Sequence, residues 1–205
     1  MALKEKEVQI VWRVVRQVIY FGLVFAFIFQ LHFFARIYGA DTFEENGMVE
    51  NVQLSFLILS ACCFGLLSYI FPKYRTILLG LASCSLFASC RELDSVFDRV
   101  VPIVHWKFAY LFPIIAVVYA WRHWKETKTT LLKFFNFPAF YMLYLAGVII
   151  LPLAQCIGHG SFVRAVLHNN VADIKEFFEE SMETVGYFII LLSSVEMAFN
   201  LKNEK

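Results

Sequence analysis

Seven residues have side chains able to do chemistry and sit where chemistry needs them: Glu50, Glu92, Asp94, His105, His159, Glu180 and Glu183. Each lies at or near the end of a long apolar run. Carboxylates and imidazoles serve as general acids and bases, and they are also ligands that zinc accepts. Their spacing groups them on shared faces. Glu176, Glu180 and Glu183 fall at i, i+4 and i+7, one stripe of a helix, with Glu179 beside it. Arg91, Asp94 and Asp98 make a similar i, i+3, i+7 stripe, and Glu50 shares a face with Gln53. Carboxylates stacked on one stripe repel one another, so they call for protons, cations or a bound metal.

Three functional readings fit this set. The first is a membrane-embedded, metal-dependent hydrolase or transferase acting on a lipid or lipid-linked substrate. Asp94, His105, His159 and Glu180 would hold a divalent ion such as Zn²⁺, whose bound water is the nucleophile. Glu50, Glu92 and Glu183 would be the catalytic carboxylates, one of them a general base. No HExxH or HxxxH pair is present, so the ligands would have to come singly from separate helices. The second reading is a non-catalytic partner or assembly subunit whose acidic face docks a basic segment of another membrane protein. The third is transport of a proton, a cation or a small solute. Beside all three stands a structural alternative: an ion-pair network around Arg91 that holds helices in register.

These residues must be positioned by apolar elements. Of 205 residues, 60% are hydrophobic and only 17% charged, and the mean hydropathy is +0.63. A soluble domain is about half apolar and about a quarter charged. That excludes a soluble globular enzyme, a disordered chain and a disulfide scaffold, and no basic patch exists to bind nucleic acid. A spanning helix needs about 20 apolar residues. Six stretches are expected to span, in a single all-α membrane bundle over 1–205: 14–38, 49–71, 76–93, 102–121, 137–157 and 177–199. The first is read as a retained span, since its apolar run is long and no small-x-small cleavage site follows. Pro113 and Pro152 are expected to kink spans four and five, and 161–174 to lie at the membrane surface. Cys62, Cys63, Cys84, Cys90 and Cys156 sit in apolar runs without a CxxC pair and read as small buried hydrophobes.

The basic residues set an orientation. Twelve of the 18 Lys and Arg fall on one side of a six-span arrangement, in the N-terminal tail, at Lys73 and Arg75, between Arg122 and Lys133, and at Lys202 and Lys205. The positive-inside rule then places both termini in the cytoplasm of an inner (plasma) membrane. Twelve of the 17 acids lie on the opposite side. Acids contribute little to topology, so a polar cavity opening outward is the expected reason for their gathering.

Three segments carry a resemblance: Glu44-Glu45-Asn46-Gly47-Met48-Val49-Glu50-Asn51, Arg91-Glu92-Leu93-Asp94, and Glu179-Glu180-Ser181-Met182-Glu183. Together they resemble a pattern in small bacterial six-span inner-membrane proteins of uncharacterised function. That likeness implies that the acidic segments belong together, and it brings no activity with it. Span two and the acidic end of span three are also similar to the alkaline ceramidase and adiponectin-receptor superfamily. That likeness implies seven spans and a zinc-binding His pair on the last helix, whereas span six here has no His.

Overall fold

A computed structural model describes residues 2–43, 47–100, 105–158 and 172–204. The fold is an all-α bundle, with no strand among the described residues. The chain divides into two compact units, Met1–Gly39 and Ala40–Lys205.

The first unit is one long helix, α1 (Ala2–Tyr38). Its rings stack along one face at i, i+4 spacing: Phe21 and Phe25 are 6.5 Å apart, Phe25 and Phe29 4.8 Å. Gly39 closes the helix at φ 79°, and its N–H reaches Ala35 O at 3.1 Å. That left-handed cap suits glycine.

The second unit contains the remaining elements. A short 3₁₀ turn (Ala40–Phe43) precedes α2 (Met48–Ile70). Pro72 stops α2 and opens a 3₁₀ turn, Pro72–Tyr74. Then come α3 (Arg75–Glu92), α4 (Asp94–Val100), a 3₁₀ stretch (His105–Tyr110) and α5 (Leu111–Arg122). The chain continues through α6 (Trp124–Phe134) and α7 (Pro138–Val148), a π-helical segment (Ile149–Ala154), α8 (Gln155–Gly158) and α9 (Ala172–Lys202). α3 packs on α2 and α5, while α9 packs on α2, α7 and the π segment. A cluster including Phe64, Leu67, Leu78, Phe134, Phe137, Met197 and Leu201 forms the apolar core at one end.

Among the described residues, four helices are long and apolar enough to cross a membrane: Glu7–Tyr38, Met48–Ile70, Pro138–Ile157 and Lys175–Lys202. They correspond to spans one, two, five and six of the sequence reading. The other two expected spans differ for visible reasons. α3 has only 18 residues and includes Arg75, Arg91 and Glu92. The fourth is divided between the 3₁₀ stretch and a 12-residue α5. Pro113 therefore lies in the first turn of α5, where a missing N–H costs little, and does not kink a helix interior. Pro152 does break its helix: the chain takes the wider π turn across it. The proposed surface segment 161–174 lies mostly outside the described residues.

Burial runs opposite to that of a soluble protein. Tyr69, Trp121, Val117 and Leu151 are exposed, while Gln53, Ser60, Thr184, Ser193 and Glu196 are fully or almost fully buried. Glu196 accepts a hydrogen bond from the Asn200 amide at 3.2 Å. The cysteines correct an expectation: all five are free, Cys62, Cys84 and Cys156 are exposed, and Cys63 and Cys90 are half-buried. An apolar exterior has no need to hide small hydrophobes, because lipid tails are as apolar as the core.

Candidate functional site

Three helix ends meet at one point of the second unit. Glu50 comes from the first turn of α2, Arg91 and Glu92 from the last turn of α3, and Glu179, Glu180 and Glu183 from the early turns of α9. With Asp94 and Ser95 of α4 they line a cavity of about 150 Å³. Five of the seven sequence candidates thus come together: Glu50, Glu92, Asp94, Glu180 and Glu183. Of the other two, His105 opens a 3₁₀ stretch and its side chain lies outside the described residues. His159 lies wholly outside them.

Arg91 occupies the centre. Its Nη2 stands 2.8 Å from each carboxylate oxygen of Glu183 and 3.3 Å from Glu92 Oε1. The Glu183 side chain is only 3% exposed, so an unpaired charge there would be costly. The Gln155 amide also donates to Glu183 Oε1, at 3.3 Å. Glu92 accepts a 2.7 Å hydrogen bond from the Tyr187 hydroxyl. The ion-pair network weighed as an alternative from the sequence is present, with Arg91 joining α3 to α9.

A second set of bonds ties α2 to α9. The Gln53 amide donates to Glu180 Oε2 at 2.8 Å, to the Glu180 carbonyl at 3.2 Å and to Thr184 Oγ1 at 2.9 Å. Thr184 in turn donates to the Glu180 carbonyl. At the rim, Lys175 Nζ is 4.0 Å from Glu179. Asn51 turns away and donates to Gly47 O within its own helix.

The local fold explains the site's membership. Glu176, Glu180, Glu183 and Tyr187 continue one stripe of α9, so Tyr187 was legible from spacing although an aromatic among 23 Phe and 9 Tyr draws no notice. Thr184 gave no such signal. The expected stripe of Arg91, Asp94 and Asp98 is cut, because the helix breaks at Leu93 (φ −97°, ψ 18°) and α4 starts anew. Asp94 and Ser95 reach the cavity through that break; the Asp98 side chain lies outside the described residues. Gln155 reaches Glu183 from just beyond the π turn.

Two of the four expected metal ligands, His105 and His159, have side chains outside the described residues. Among the described residues, no group of three or more His, Cys, Asp or Glu is placed to hold one. A guanidinium already stands against both oxygens of Glu183, and Glu180 accepts from an amide. What the arrangement does offer is a small chamber ringed by six carboxylates, Glu50, Glu92, Asp94, Glu179, Glu180 and Glu183, with Arg91 the cation among its lining residues. Comparison with known protein families, with curated proteins and with solved structures finds no match.

Proposed function

We propose that the chain is a multi-pass inner-membrane protein, with both termini cytoplasmic, whose acid-ringed cavity receives a cationic side chain from a partner membrane protein. One observation carries this reading: among the described residues, six carboxylates and one guanidinium line one cavity. Even with Lys175 at the rim, these carboxylates outnumber the cations that the described residues bring to the cavity, and a low-dielectric surrounding favours protons or an added cation on such a cluster. The inner members of the ring are already held by Arg91, Tyr187, Gln53 and Gln155. A site fixed in advance binds with less loss of freedom. The rim is accessible, since Asp94 is exposed and Glu50 and Glu179 are half-buried. An ammonium or guanidinium on a flexible apolar stem suits a chamber of about 150 Å³ better than a metal needing converged ligands. Six crossings, with α3 and α5 completing the four apolar helices, and the Lys and Arg distribution support the orientation. In that orientation the cavity opens at the outer face.

The test uses detergent-purified protein and thermal unfolding at fixed ionic strength. The probes are butylamine, agmatine and Zn²⁺. Saturable stabilisation by butylamine or agmatine, about 2.7 kcal/mol at 100 times Kd, and its loss in Asp94→Asn with Glu50→Gln, is the expected result. Stabilisation by Zn²⁺ alone, reversed by a chelator, would move the cavity to the metal-dependent hydrolase or transferase reading. No saturable response to any probe would overturn a cation site.

A further inference from the structure

A second cavity, of about 140 Å³, lies at the opposite ends of α2 and α9, lined by Ile70, Phe71, Pro72, Lys73, Tyr74, Leu201 and Glu204. Three donors, two from the Pro72–Tyr74 turn and one from α6, converge there on one anion. The buried Tyr74 hydroxyl donates to the Glu204 carboxylate. Lys73 Nζ stands 3.6 Å from the same oxygen, and Lys133 Nζ 4.0 Å from it. Lys73 also lies over the Tyr74 ring, 5.5 Å from its centroid. Arg75, exposed, follows directly in the chain. Burial and the neighbouring carboxylate push the Tyr74 phenol above its ordinary range, so it remains a neutral donor.

The position of this cavity matters as much as its chemistry. Ile70 is the last residue of one apolar helix, and Leu201 is next to last in another. The cavity therefore sits where a bilayer's hydrocarbon gives way to headgroups. Its lining includes apolar Ile70, Phe71 and Leu201 together with Lys73, Tyr74 and Glu204, and Lys133 reaches Glu204 from α6. Lys73 and Lys133 exceed Glu204 by one charge. Both lysines are about half exposed and held at 3.6–4.0 Å, a loose geometry that is weak for a surface pair.

We propose that this crevice binds the phosphate headgroup of an anionic phospholipid, with Lys73, Lys133 and Tyr74 as donors and Glu204 as an internal competitor for them. The carboxylate makes the contacts that the phosphate takes over, and the apolar wall receives the glycerol and first methylenes. This site rests on the membrane reading and is independent of the acid-ringed cavity at the other end.

The experiment compares phosphatidylglycerol, phosphatidylcholine and inorganic phosphate as additives in thermal unfolding of the detergent-purified full chain. Phosphatidylglycerol is expected to raise Tm saturably above phosphatidylcholine, with no effect from phosphate alone. Lys73→Gln with Lys133→Gln should weaken the apparent affinity by about 30-fold, at about a factor of five per lysine. Glu204→Gln should tighten it by about fivefold on the same basis. Each variant's Tm in phosphatidylcholine is its own baseline, so loss of fold is read separately from loss of binding. Equal effects of the two lipids, an equal shift with inorganic phosphate, or a phosphatidylglycerol effect unchanged in the lysine pair would overturn the proposal. Weaker binding in Glu204→Gln would overturn the competitor role.

Discussion

At the scale of single residues, Arg91 engages two of the cavity's carboxylates, Glu183 and Glu92. A ring of acids at a membrane helix end invites thoughts of zinc, yet the guanidinium stands 2.8 Å from both Glu183 oxygens and 3.3 Å from Glu92. Breaking a buried pair costs about 3–5 kcal/mol. The Arg91 side chain is 34% exposed, so Arg91→Gln is expected to lower stability by about 2 kcal/mol after solvent screening. Glu183→Gln alone should also destabilise. The double variant should lose less than the sum, with a coupling of about 1–3 kcal/mol in a double-mutant cycle of unfolding in detergent. Strict additivity would show that the two groups do not interact.

Among the elements, two irregularities do the positioning. The break at Leu93 ends α3 and lets Asp94 and Ser95 line the cavity from a new helix. The π segment around Pro152 precedes Gln155, which bonds Glu183 across the α9 interface. That interface is close. A Cβ added at Gly186 would stand 2.3 Å from Ile150 Cγ1 and 2.8 Å from its Cδ1. Gly186→Ala is therefore expected to destabilise by about 1–3 kcal/mol through overpacking. Adding Ile150→Ala should recover part of that loss, as followed by thermal unfolding. If Gly186→Ala is neutral by itself, α9 and the π segment are not locked together as tightly as their contact distance implies.

For the whole molecule, the informative feature is polarity at both ends of an apolar middle. From Glu50 to Ile70, α2 rises about 30 Å at about 1.5 Å per residue. That matches the hydrocarbon thickness of a bilayer. One cavity, rich in carboxylates, uses the start of α2; the other, with Lys73 in its lining and Lys133 near its Glu204, uses the end. The charge difference agrees with the proposed orientation, because basic residues mark the cytoplasmic side. Alkaline phosphatase fused after Gly160 should accordingly be active, and a fusion after Lys133 inactive. The reverse pattern would invert the assignment of both cavities.

The amino-acid sequence determined the all-α membrane character and the gathering of the acids. Both follow from local quantities, namely apolar run length and the spacing of costly charges along a helix. It also determined where α2 stops, since Pro72 cannot continue a helix. It did not determine that α3 and the 105–122 stretch would fall short of the apolar criterion met by the other four, or that Cys62, Cys84 and Cys156 are exposed. Above all it could not tell a metal centre from an ion-pair clasp, because both need the same carboxylates at the same spacing. Only packing placed Arg91 of α3 against Glu183 of α9, 92 residues later in the chain. Only packing joined Tyr74 and Lys73 to Glu204, 130 and 131 residues away. Such pairings depend on which helix faces touch, and helix contacts in a membrane are set by shape and hydrogen bonding between segments far apart in sequence.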